Sequence, residues 1–276
     1  MIKRPALPVL SDSHATLGET MRVLNERRQL LKMFGSLSAL ALLPLESLAC
    51  TLIPQETGGP YPGDGTNGPN VLTQSGIVRS DIRSSFGTSG TATAPGTPLT
   101  ITLQFLSTTS GCGPIEGLAI YLWHCNATGG YSLYSSGVTT QNYLRGVQVS
   151  DANGRVTFTS IYPGCYSGRW PHIHFEVFAS LADATTGNNA GRTSQIAMPE
   201  AQSRLVYAQT SLYPNSTNNL NQVSLTSDNV FGDDGGVHQL ATMTGDNTNG
   251  YTSFLEVGLA VDATSSDLIF ANGFES

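Results

Sequence analysis

Beyond residue 49 the sequence contains no lysine. Positions 1–49 hold six of the chain's 13 basic and four of its 20 acidic side chains, which leaves 7 against 16 and a net charge of −9 for the remainder. Nucleic-acid binders need clustered Lys and Arg against phosphate, so nucleic acid is not expected as a partner. An acidic body also has no electrostatic attraction to anionic lipid. The four cysteines, Cys50, Cys112, Cys125 and Cys165, include no C-x-x-C pair, which removes the zinc-finger and thioredoxin readings. The apolar stretch from Met33 to Leu45 is short and broken by Pro44, so no integral membrane span is expected. Internal repeats and heptads are missing too. Charge is sparse, at 12% of residues against 39% hydrophobic, and this balance describes a globular protein rather than a disordered one.

Both ends look like additions to the fold. Arg27-Arg28-Gln29-Leu30-Leu31-Lys32 is a twin-arginine pattern, followed by the short apolar stretch and by Ser47-Leu48-Ala49, a small-x-small cleavage site. Residues 1–49 are therefore read as a signal segment of the class that exports folded proteins, which places the mature protein in the periplasm or outside the cell. Lipidation of Cys50 is the lesser reading, because Ser47 stands where lipoprotein signals usually have Leu. Residues 50–262 form the expected domain, and 263–276 read as a polar spacer and C-terminal tail of open role. In an exported protein an even cysteine count permits disulfides, and Cys112 and Cys125 flank a strand and turn across which a bridge is conceivable.

Within the body, strand signals dominate. Leu99–Phe105 alternates with β-branched residues, and Leu118–Trp123 reads as a more buried strand. Arg145–Val149 and Val156–Thr159 flank Asp151-Ala-Asn-Gly154, which predicts a hairpin with its positive-φ turn at Asn153-Gly154. His172–Phe178 and Tyr251–Val261 are further strands, and helix is confined to the signal segment and a stretch near Pro199–Tyr207. The 30 glycines and 14 prolines mark frequent turns. The fold class is therefore mainly β, a β-sandwich with little helix, on which the Gly/Asn/Thr-rich stretches 61–76 and 181–192 form site-walling loops.

The chemistry starts at His172-Ile173-His174. On a strand, the two imidazoles share one face, about 6–7 Å apart along it, and can close on one metal ion. Alone the pattern is weak. Just upstream, however, Tyr166 follows Pro163-Gly164 and Arg169 precedes the histidines, and Tyr131 follows Gly129-Gly130. Phenolate is a hard anionic donor suited to Fe(III). A trivalent ion would hold a tyrosine deprotonated despite its ordinary pKa of about 10. Two phenolates and two neutral imidazoles leave one positive charge on the ion for a hydroxide or a substrate dianion.

These motifs resemble one family. Gly129-Gly-Tyr131, Pro163-Gly-Cys-Tyr166 and Arg169-Trp-Pro-His-Ile-His174 are similar to segments of the intradiol ring-cleavage dioxygenases, which include catechol 1,2-, hydroxyquinol 1,2- and protocatechuate 3,4-dioxygenases. Glu56–Pro62, Ile120–Cys125, Leu144–Gly154 and Thr193–Pro199 extend the likeness over roughly residues 50–210. The resemblance implies a β-sandwich of the intradiol type. It implies Fe(III) held by Tyr131, Tyr166, His172 and His174, with Tyr166 leaving the metal as it takes a substrate proton. Arg169 and Gln195 would lie beside the bound ring, where a guanidinium favours the negative charge that develops. The implied reaction is cleavage of a catechol-type ring by O₂ to a cis,cis-muconate-type diacid. Cys165 departs from the pattern, since the family often has Trp there, and a pairing of Cys165 with Cys50 is one use for it. Between Cys50 and Gly58 there is also no room for the dimer-building helical region of the catechol enzymes. It looks like a compact, exported branch, so a homodimer stays open and the ring substituents are not read across. Gly59-Pro-Tyr61, the loop before Arg79 and residues near Trp170 are candidate pocket walls.

Two other classes compete. One is an exported β-sandwich without catalysis that binds aromatic or carbohydrate ligands; the presence of all four presumed ligands weighs against it. The other is a zinc or copper enzyme built on His172 and His174, disfavoured because no third histidine or carboxylate stands nearby at ligand spacing. His124, beside Cys125, is expected to be structural, Trp123 core, and His238 exposed.

Overall fold

The computed structural model describes residues 50–261. The expected signal segment at 1–49 and the tail at 263–276 lie outside the described residues. Nine strands are found among the described residues: β1 (Pro98–Ser107), β2 (Gly113–Pro114), β3 (Ala119–Trp123), β4 (Arg145–Val149), β5 (Arg155–Ile161), β6 (His172–Phe178), β7 (Arg192–Ala197), β8 (Thr242–Asp246) and β9 (Gly250–Leu259). The α-helices among the described residues are α1 (Glu200–Tyr207) and α2 (Ser216–Leu220). Pro199 ends the chain's extended run at φ −64° and Glu200 opens the first turn of α1, as the sequence predicts for 199–207.

The strands form two sheets. In the first, β1 is central: it runs parallel to β9 and antiparallel to β5 and β2, and β8 pairs with β9. The second is antiparallel, in the order β4-β3-β6-β7. Leu99, Ile101, Leu103 and Phe105 of β1 meet Ile120 and Leu122 of β3 and Ile173, Phe175 and Val177 of β6 in one core cluster. This is the period-two side-chain alternation of strands put to work between sheets. A second, smaller cluster lies on the opposite face of the β3–β6 sheet, where Tyr121, Trp123, Val147 and Phe178 are roofed by Val71 and Leu72 from the loop 61–76 and by Ile77 just after it. The mainly β sandwich expected from the sequence is therefore observed.

The hairpin is corrected. β4 pairs with β3 and β5 pairs with β1, so the Asp151–Gly154 turn carries the chain from one sheet to the other. The turn itself is as expected: Gly154 has φ +70°, and Asp151 Oδ1 accepts from the amides of Asn153 and Arg155. The crossover arises because Gly154 is drawn onto β1. Phe105 N–H donates to Gly154 O at 2.8 Å, and a Cβ at Gly154 would stand 2.4 Å from Phe105 O.

The cysteine pairings are corrected as well. Cys50 bonds Cys112, with Cα atoms 5.6 Å apart, whereas Cys125 and Cys165 are buried free thiols. Cys125 lies on the second sheet's outer side with its thiol directed at Gly164 O, and Cys165 packs in the main core, so neither meets the partner considered for it. Spacing along the chain could not show that residue 50 runs beside the end of β1, where Ile53 N–H bonds Gly258 O and the Cys50 sulfur lies against Ser107 O. No helix among the described residues is long and apolar enough to cross a membrane.

Candidate active site

Strand β6 is buried along its whole length. Its odd residues enter the core between the sheets; His172, His174 and Glu176 point the other way, under the loops. Register then lays Trp123, His174 and Gln195 in one row across β3, β6 and β7. Trp123 stacks on the His174 ring, with centroids 4.9 Å apart and planes at 8°. Gln195 is fixed at both ends, since its amide nitrogen donates to Thr57 O at 2.9 Å and its oxygen accepts from Arg169 Nη2 at 2.6 Å.

Two loops bring the tyrosines. Tyr131 leaves the turn after β3, and Tyr166 the connection between β5 and β6. Gly129 explains their approach: it has φ +86°, and a Cβ on it would come within 3.0 Å of the Tyr166 Cβ. Close packing at a left-handed position is a role glycine fills without strain. The tyrosine rings meet edge to face at 5.9 Å.

Four donor atoms converge. Tyr166 Oη lies 3.1 Å from His172 Nε2, and the two Nε2 atoms are 3.1 Å apart. Tyr131 Oη is 3.5 Å from His172 Nε2 and 3.3 Å from His174 Nε2. Ligands held about 2 Å from a common ion in a four- or five-coordinate shell stand roughly 3.0–3.6 Å from one another, so the quartet fits one metal ion. His172 is oriented for such a role: its Nδ1–H donates to Trp170 O at 2.5 Å, leaving the Nε2 lone pair facing the cluster. The Nδ1 of His174 has no hydrogen-bond partner among the described residues, and stacking on Trp123 orients this ring instead. No group of three or more His, Cys, Asp or Glu among the described residues gathers for a metal, so the donor set depends on its phenols.

The electrostatics fit a highly charged cation. Burial, then the neighbouring Arg169, pushes His172 down to about 3, and burial, then His172, carries His174 well below the ordinary histidine range. Both imidazoles are neutral, as ligation requires. Burial pushes Tyr166 up to about 12 and Tyr131 well above the ordinary phenol range. Without a cation both phenols keep their protons, and a trivalent ion among them reverses that preference.

Arg169 lies beside the quartet. Its Nη1 is 3.5 Å from His172 Nε2, and its Nε donates to Asp228 Oδ2 at 2.9 Å. Asp228 escaped the sequence reading: it lies far along the chain in a loop with no motif, and it also accepts from the amides of Trp170, Val230 and Phe231. Arg145 was likewise assigned no role, although it sits in one of the family-like segments. It is fully buried, donating to the carbonyls of Tyr61, Pro62 and Ser132, to Ser132 Oγ and to Tyr121 Oη. It thereby ties the Gly59–Pro62 wall to the residue that follows Tyr131. The tight path of these loops shows in Leu133 and Leu144, which hold φ values of +74° and +57°.

A cavity of about 490 Å³ opens over Tyr131, Tyr166, Arg169 and His174, a volume suited to a small aromatic molecule. Gly59, Pro60 and Tyr61 line it as expected, and Trp123 is wall as well as core. Of the residues near Trp170, Arg169 lines it, while Trp170 itself is buried with its indole N–H on Met198 O. The loop before Arg79 does not line it, and Arg79 is spent on the carbonyl of Arg145 and the ring of Phe86. Asn229 and Val230 complete the wall. His124 is structural, bonding Cys125 O and Ser160 Oγ at 2.7 Å each, and His238 is exposed.

The chain is thus a β-sandwich with a two-histidine, two-tyrosine pocket on one face of its second sheet. An intradiol ring-cleavage dioxygenase from Tetranychus urticae superposes with a TM-score of 0.55 at 24% identity, over 76% of this chain and 94% of that one. A second solved protein described as a dioxygenase gives 0.58 at 25% identity, with the same coverage of both chains. Residues 68–196 match the family model described as Dioxygenase, a span that holds all four donors together with Arg169 and Gln195. A search of curated proteins finds no match. The family model described as Dioxygenase and the fold shared with these two solved proteins agree with the resemblance of the motifs to the intradiol ring-cleavage dioxygenases.

Proposed function

We propose that the protein cleaves a catechol-type ring between its two hydroxyl-bearing carbons with O₂, using Fe(III), to give a cis,cis-muconate-type dicarboxylic acid. The observation that carries this reading is the convergence of two phenol oxygens and two imidazole nitrogens within 3.1–3.5 Å at the floor of a cavity. Ferric iron would supply the Lewis acidity that chelates a catecholate and makes it electron-rich toward O₂. Tyr131, Tyr166, His172 and His174 would hold it.

The chain's own residues divide the remaining work. Tyr166 is the less buried of the two tyrosines and stands at the cavity wall, so it is the phenol suited to take a substrate proton at Oη. Arg169 Nη1 points at the donor cluster, where it favours negative charge on the bound ring. Gln195 holds that guanidinium in place. Trp123 and Tyr61 supply aromatic walls that flank the ring and exclude water.

The test is the visible spectrum of the purified protein, with and without catechol, in the absence of O₂. A phenolate-to-iron band that shifts when catechol is added, followed by a ring-opened diacid when O₂ is admitted, is the expected result. A protein that stays colourless after reconstitution with ferric iron refutes the reading.

An exported location belongs to the same proposal. The Cys50–Cys112 disulfide supports it, because such bonds persist in oxidising compartments. N-terminal sequencing of the secreted protein should begin at or near Cys50; a start at Met1 would count against it.

A further inference from the structure

The reading of this pocket as a catechol site leaves the ring's other substituents open, and the charges around the cavity narrow them. Arg169 is the only cationic side chain among the described residues that line it. Each guanidinium nitrogen already has a direction. Nε donates to Asp228 Oδ2 at 2.9 Å, Nη2 donates to Gln195 Oε1 at 2.6 Å, and Nη1 faces the His172 side of the donor cluster at 3.5 Å. Asp228 is a buried anion with a full set of donors. Beyond Arg169 it accepts from Trp170 N–H at 2.6 Å, Val230 N–H at 2.9 Å and Phe231 N–H at 3.1 Å. The guanidinium–carboxylate pair is thus neutral as a unit and locked in place. The rest of the wall is aromatic, aliphatic or uncharged, as at Tyr61, Trp123, Val230 and Asn229. A carboxylate on the ring would give up its hydration here with no unpaired cation to meet it. The acidic body adds long-range repulsion.

We infer that Asp228 is a specificity-determining residue: by neutralising Arg169 it confines the pocket to catechols whose other substituents are uncharged, such as hydroxyl, methoxyl or alkyl groups, and disfavours ring carboxylates. The inference rests on the catechol reading above. Asp228 does not line the cavity, so it acts through Arg169 as a positioning residue, and its role shows in charge preference rather than in rate alone.

The test is anaerobic binding to the purified ferric protein, followed by quenching of tryptophan fluorescence, with 4-methylcatechol and 3,4-dihydroxybenzoate as a neutral and an anionic probe. A charge-assisted contact is worth about 10- to 100-fold in binding. The neutral probe should therefore bind at least about tenfold more tightly. Asp228→Asn unpairs the guanidinium and should shrink that preference by about tenfold, chiefly through tighter binding of the acid. Asp228 is buried, so Asn229→Arg is the companion that guards against a folding defect in Asp228→Asn: it adds a cation at an exposed wall position without removing a buried contact, and it should shrink the preference in the same direction. Equal or tighter binding of 3,4-dihydroxybenzoate by the unaltered protein overturns the inference, and so does a preference that neither variant changes. Those outcomes leave the catechol reading standing. If neither probe binds the ferric protein, that reading falls and this inference with it.

Discussion

The two sheets solve the same packing problem and then part ways. In the first, β1 alternates: Leu99, Ile101, Leu103 and Phe105 are buried, while Thr100, Thr102 and Gln104 are only partly covered. One face is dry and the other is wet, the pattern of a sheet packed on one side only. In the second, β3 and β6 are buried at every position. Their outer face is dry because loops cover it, and what the loops cover is a pair of imidazoles, two phenols and a guanidinium. A sheet face that buries polar groups under a roof, where solvent would otherwise serve, marks a site rather than a core.

The sharpest break of this comparison is on β6 itself. His172→Ala removes a donor from the outer face and should cut ring cleavage by roughly 10³-fold or more, the loss of several kcal/mol of metal-borne stabilisation. Thermal unfolding should fall by less than for a core aromatic, because the ring gives up only its bond to Trp170 O and its edge contact with Phe231; steady-state turnover and the melting curve of the same sample check both halves. Phe175→Ala, three residues on and on the inner face, should do the reverse. Removing a fully buried ring that meets Phe105 edge to face at 6.3 Å should cost about 3–5 kcal/mol, read as a lower midpoint in denaturant, while the folded fraction keeps its iron spectrum.

A smaller effect comes from Asp228. Burial alone would raise its pKa, but the bond from Arg169 and the amides of Trp170 and Val230 win and hold it below the ordinary carboxylate range. Because the folded value is depressed, its stabilising contribution is present above the unfolded carboxylate pKa of about 4 and is lost as pH falls through the folded value. The lead of the native protein over Asp228→Asn in denaturant midpoint should be greatest at neutral pH and should shrink progressively as pH falls below about 4. The smallest effect belongs to the wet face of the first sheet. Thr157→Ala removes a hydroxyl pair with Thr102 on an exposed surface and should change stability by no more than about 0.5 kcal/mol.

Much of the site could be read along the chain because its donors sit in short local motifs. His172 and His174 share a face by strand alternation alone, and Gly129, Tyr131, Tyr166, Arg169 and Gln195 fall in segments that resemble one family. What could not be read has a common cause, which is long separation in sequence with no local signature. Asp228 reaches Arg169 across 59 positions. Arg145 reaches Tyr61 across 84, joining two walls whose proximity only the fold creates. The Asp151–Gly154 turn was found but its partner strands were not, since a turn fixes the local reversal and the ladder is decided by which neighbours bury β4 and β5.

By itself the sequence determined the mainly β architecture, most strand positions, the short helix after Pro199 and the residue types of the donor quartet, because side-chain period, turn chemistry and ligand hardness are local properties. The tertiary structure alone decided that the quartet closes to 3.1–3.5 Å, that Cys50 bonds Cys112, that β4 and β5 part between sheets, and that a buried carboxylate neutralises the pocket's cation. Those outcomes depend on which distant segments are pressed together when two sheets and their loops exclude water, and that is a property of the whole chain.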